Sequence, residues 1–128
     1  MTKSVILDKY HVNSLEIAKD ATELKDVDAF LAYFKEKVDA HPIATFIATF
    51  DHYSHTQSIE GEINEDIKDA KNIVFCFGAQ IPNTKILAAR PRSIAIAELE
   101  NSFMLEFMDA PNEKLHAVMQ EWCENLAK

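Results

Sequence analysis

IATFIATFDHYSHTQSIEG, residues 43–61, decides how the chain is read. Residues 43–50 are apolar or small and carry no charge. In an extended chain, Ile43, Thr45, Ile47 and Thr49 point one way while Ala44, Phe46, Ala48 and Phe50 point the other. Two uncharged faces predict a central strand covered on both sides. The run stops at Asp51-His52. There Asp51 reads as the N-cap of a short helix, and Gly61 reads as the left-handed residue that ends it.

Working outward, residues 73–77 (IVFCF) form a second buried strand closed by Gly78. Residues 94–99 and 103–108 pair as a hairpin around residues 100–102. Between these strands lie two shorter pieces. Residues 64–70 read as a helical turn, and residues 82–89 as a short helix with Pro82 at its first position. Arg90-Pro91-Arg92 breaks that helix.

Two long helices frame the strands. Residues 26–40 place Val27, Phe30, Leu31, Phe34 and Val38 on one stripe, with Asp26 as N-cap and Pro42 as the stop. The last helix starts at residues 109–111, with a stripe of Leu115, Val118, Met119, Trp122 and Leu126. At the front, residues 4–7 and 12–18 are β-like, and one of them is an edge strand or an arm. The sum is an α+β fold. A curved, mainly antiparallel sheet carries long helices in the order strand, helix, four strands, helix, with short helical insertions. The 128 residues make a single domain, and residues 1–20 are its N-terminal strand or arm region.

Composition narrows the function. A net charge of −8, with no basic cluster to offset it, argues against nucleic acid and anionic membranes as partners. No stretch approaches the roughly 20 apolar residues that span a bilayer, and no signal peptide is evident. Two distant cysteines suit a reducing, cytoplasmic setting. Only two glycines occur, which excludes a Gly-rich phosphate loop.

The candidate site is the turn carrying Asp51, His52 and His55. If Asp51 caps the helix, His52 and His55 fall on one face, three residues apart. The plainest reading is an Asp cap beside two partly exposed histidines. Contact with a small molecule or anion is a second reading. A shared metal ion is a third, with a further ligand from Cys76 or an acid. Cys76, between Phe75 and Phe77, reads first as a small buried hydrophobe. Arg90 and Arg92 could hold a carboxylate or phosphate in their forked donors, although charge balance explains them more simply. No catalytic constellation and no metal set with recognisable spacing appears, and no cofactor is implied.

Several of these elements carry a resemblance: Asp51-His52, Gly61, Phe77-Gly78, Pro91, the strands at 94–99 and 103–108, and Asp109 with Pro111. Together they resemble the domain-of-unknown-function family 302 over about half the chain. The resemblance implies a TATA-binding-protein-like fold of strand, helix, four strands and helix, often a homodimer, and no settled activity. It departs after Phe77-Gly78, where Ala79-Gln80 stand in place of Asn-Pro, and at Thr56, where an alanine is usual.

These readings favour a non-enzymatic small-molecule-binding module. Its ligand-binding residues would be Asp51, His52, His55, Cys76 and Arg90. The pocket would open beside the residue 51–61 helix, with Phe46, Phe75 or Phe77 in its walls. A homodimeric structural or adaptor protein without a ligand is the alternative, and a metal-dependent enzyme ranks last.

Overall fold

The computed structural model describes residues 1–127. Six strands form one open sheet: β1 (Thr2–Ile6), β2 (Tyr10–Ala18), β3 (Thr45–Asp51), β4 (Asp69–Cys76), β5 (Arg92–Glu98) and β6 (Ser102–Met108). The spatial order is β1-β2-β6-β5-β4-β3, and every pairing is antiparallel. Three helices complete the α+β fold: α1 (Val27–Ala40), α2 (His52–Ser58) and α3 (Glu113–Glu124).

The two long helices follow their stripes. Val27, Phe30, Leu31, Phe34 and Val38 of α1 are all buried, and the Asp26 carboxylate accepts the Ala29 N–H at 2.8 Å as the cap. In α3, Met119, Trp122 and Cys123 are buried. Both helices lie on one face of the sheet. The Trp122 ring meets Phe75 at 5.7 Å and Phe77 at 5.9 Å, and the Tyr33 hydroxyl of α1 donates to the Trp122 carbonyl at 2.7 Å. Alternation does the rest. Ile73, Phe75, Ile94, Ile96, Phe103 and Leu105 point inward to the helices and are buried. Asn72, Val74, Cys76, Ser93, Ala95, Ala97 and Met104 point to the opposite face and remain half-buried.

Several boundaries differ from the sequence reading, each for a physical reason. β3 is an edge strand, not a central one, and most of its residues are exposed. The absence of charge marks an uncharged edge here, interrupted by a bulge between Phe46 and Ala48 that limits its pairing. Helix α2 ends at Ser58, and the left-handed residue after it is Glu60 (φ 57°) rather than Gly61. Gly61 is set by space instead, since a Cβ there would stand 2.8 Å from Thr56 Cγ2. Residues 69 and 70, read as part of a helical turn, already belong to β4, whose partner strand β5 extends to Glu98 opposite Asp69. The turn at residues 82–89 is 3-10 and spans only Lys85–Ala89. Helix α3 is capped by Asn112, whose side chain accepts from the Lys114 and Leu115 N–H groups.

At the front, β1 and β2 form a hairpin, and β1 is the second edge of the sheet. From β2 onward the order is strand, helix, four strands, helix, with α2 inserted between β3 and β4. No helix among the described residues is long and apolar enough to cross a membrane.

Candidate functional site

The β3–α2 junction brings Asp51, His52 and His55 together on the surface. Asp51 caps α2: its Oδ1 accepts the Ser54 N–H at 2.9 Å, and its Oδ2 accepts the Ser54 hydroxyl at 3.0 Å. Lys71 Nζ lies 3.6 Å from the same carboxylate and 2.7 Å from Asp28. The Ser54 N–H does most to hold the Asp51 pKa below the usual carboxylate value; burial opposes it, and the Ser54 hydroxyl and Lys71 each lower it by less. Phe50 organises the two imidazoles, with His52 edge-on at 4.6 Å and His55 tilted at 5.7 Å. The His52 Nε2 lies 3.0 Å from Asn72 Oδ1, and the Asn72 amide donates to the Ser93 hydroxyl at 3.4 Å. A polar chain thus runs from α2 across the sheet face opposite α1 and α3. Among the described residues no three His, Cys, Asp or Glu side chains converge as metal ligands.

The principal cavity lies at the other end of β3. Six residue steps at about 3.3 Å each separate Thr45 from Asp51, about 20 Å in all. The cavity measures about 430 Å³. One wall is the segment from Phe77 to Arg92, the other is the N-terminus of α3 with the residues before it, and Ile43 closes a corner. The segment turns sharply because Gly78 adopts φ 44°, a conformation that a side chain would strain. Phe77, Pro82, Ile86, Ala110 and Leu115 make the walls mostly apolar.

Three cations reach this cavity: Arg90, Arg92 and Lys114. Arg90 donates through Nη2 to the Gln80 carbonyl at 2.7 Å, which pins the segment to itself. Arg92 donates through Nη2 to the Met108 carbonyl, while its buried Nε–H has no hydrogen-bond partner among the described residues. Burial lowers the Arg92 pKa, and nearby Asp109 partly offsets that. Asp109 itself is occupied: Asn13 Nδ2 donates to it at 2.9 Å, Lys3 lies at 3.0 Å, and His116 at 4.0 Å. The Asn13 bond comes first among the effects that lower its pKa.

A second cavity of about 340 Å³ adjoins, lined by Ala88, Ala89, Pro91, Arg92, Ser93 and Met108. Its Ser93 is the end of the chain that begins at His52.

The residues singled out in the sequence therefore fall into two groups. Asp51, His52 and His55 share one surface patch, and neither cavity is lined by them. Arg90 lines the principal cavity, and Cys76 borders it through Gly78: a Cβ on that glycine would meet the Cys76 Sγ at 3.3 Å. Of the aromatic walls named in the sequence reading, Phe77 lines this cavity, whereas Phe75 is fully buried in the core. Sequence reasoning missed Ile43, Ile86, Lys114 and Leu115 as wall residues. They come from three separate segments, and only the folded sheet brings them to one end. The one legible signal was the Arg90-Pro91-Arg92 break, a pair of guanidinium groups at a fixed bend.

No curated protein matches the chain. A family model does match it, over residues 1–128. The chain belongs to DUF6858, a family of unknown function.

Proposed function

We propose that the protein is a non-enzymatic small-molecule-binding module whose ligand occupies the cavity between the residue 77–92 segment and the N-terminus of α3. The cavity itself carries the reading. Its volume, about 430 Å³, falls within the ~300–1,000 Å³ of ligand pockets, and it combines apolar walls with a few polar groups. A thermal-shift screen of aliphatic and aromatic compounds tests it. Some member should raise the melting temperature of the wild type, and Ile86→Trp, which fills the cavity from its rim, should abolish that rise. No stabilisation by any compound, or stabilisation that survives in Ile86→Trp, overturns the reading.

The Asp51, His52 and His55 patch enters as a secondary contact. A ligand on the sheet face opposite α1 and α3 would meet His52 and, through Asn72, the Ser93 floor of the second cavity. A metal-dependent enzyme would need a third ligand carried to His52 and His55.

A homodimeric structural or adaptor role is the second reading, and β3 favours it. This edge strand, uncharged before Asp51, and the residues before it leave Ile43, Ile47 and Phe50 exposed by 43%, 50% and 43%. Unpaired edges of that kind accept a strand from another chain. The element order from β2 onward supports the likeness to family 302 and its TATA-binding-protein-like fold. The net charge of −8 supports partners other than nucleic acid or anionic membranes, and the free Cys76 and Cys123 support a cytoplasmic location.

A further inference from the structure

The charge around the principal cavity runs against the charge of the whole protein. The chain has 21 acidic and 13 basic residues. Yet Arg90, Arg92 and Lys114 line the cavity, and no Asp or Glu among the described residues does. Of the two acids beside that wall, Asp109 is engaged by Asn13 and Lys3, and Glu113, between Asn112 and Lys114, does not line the cavity. The Arg92 Nε–H is buried without an acceptor, a costly state for part of a charged group. Arg90 spends Nη2 on the Gln80 carbonyl, which leaves further donors of its planar fork for a partner. The apolar lining comes from Phe77 and Ile86 on the same wall as the two arginines and from Leu115 on the other.

From this juxtaposition we infer that the ligand is an amphipathic anion, with a carboxylate or phosphate head on Arg90 and Arg92 and an apolar body along Phe77, Ile86 and Leu115. An anionic head forms charge-assisted bonds with guanidinium donors of Arg90 and Arg92 that line the cavity. An apolar tail gains from leaving water along the apolar lining. The inference rests on the binding reading above and adds the chemistry of the head group.

The test compares octanoate, octyl phosphate and 1-octanol by calorimetric titration of the full chain, in the wild type and two variants. Octanoate or octyl phosphate should bind at least about tenfold more tightly than octanol, the difference a charged hydrogen-bonded partner makes. The tighter of the two identifies the head group. Arg90→Gln should remove most of that preference, bringing the affinities for the anions and octanol close together. Arg92→Met should do the same, and Arg90→Gln decides alone if Arg92→Met fails to fold. Equal binding of octanol and both anions overturns the anionic head while leaving the cavity reading in place. An anion preference undiminished in Arg90→Gln overturns it too. No binding by any of the three overturns both.

Discussion

Asp51 has one task that the structure makes measurable. Its carboxylate caps α2 through the Ser54 N–H, and that bond holds its pKa low. The stability it contributes is fully present above the ordinary carboxylate pKa near 4 and is lost as pH falls through the lower folded-state value. Asp51→Ala should therefore lower the melting temperature at pH 7, and its deficit relative to the wild type should shrink as the pH approaches about 2. A deficit that is constant with pH would separate the cap from its charge. The two thiols differ just as clearly. Cys123 is on the buried side of α3, and burial pushes its thiol up to about 12, with Glu124 adding to the rise. It stays protonated and unreactive at neutral pH, since the thiolate is the nucleophile. Cys76 is half-buried. An aromatic disulfide reagent should label one thiol in the native protein and two in denaturant. Cys76→Ser should abolish the native signal.

At the scale of elements, the helices were legible and the edges were not. Five apolar residues of α1 recur at helical spacing, and each is buried, because the stripe is a local property that needs no knowledge of the partner. Phe34, fully buried among them, should cost about 3–5 kcal/mol as Phe34→Ala, read as a drop in denaturant midpoint at unchanged slope. Strand position is not local. Nothing in residues 43–50 says how many neighbours the strand will have, so an uncharged run was read as a centre and proves to be a rim. The β1–β2 hairpin was hidden for another reason. Its turn runs from Ile6 to Lys9, closed by the Lys9 N–H on the Ile6 carbonyl, with Leu7 and Asp8 both left-handed (φ 52° and 59°). Asn-Gly is the usual signal for such a turn, and Leu-Asp carries none of it. The Leu7 side chain is 78% exposed, so replacing it loses little packing. The double change Leu7→Asn, Asp8→Gly should stabilise the protein by ~1–2 kcal/mol by relieving side chains from a left-handed backbone. An unchanged denaturant midpoint would show that the hairpin frays without cost to the domain.

Over the whole molecule, two features come from the assembled sheet alone. One is the cavity, built where the loops after β4 and before α3 meet. The other is the asymmetry of the two sheet edges. β1 is short and begins with polar residues, and Lys3 pairs with Asp109 across β2. β3 has no charge before Asp51 and is interrupted by the bulge after Phe46. A two-fold axis lets such an edge pair antiparallel with the same edge of a second copy, joining two sheets while burying Ile47 and Phe50 against their counterparts. The homodimer reading therefore has a specific consequence. Wild-type protein at micromolar concentration should sediment as a dimer. Ile47→Lys would set two like charges across the axis and should sediment as a monomer. Ile47 is half exposed in the single chain, so the far-ultraviolet circular dichroism and the binding of any cavity ligand should be unchanged in that variant. A wild type that is monomeric at this concentration removes the second reading. A dimer that survives Ile47→Lys moves the contact away from β3. Neither result touches the cavity, because Ile47 is not among its walls.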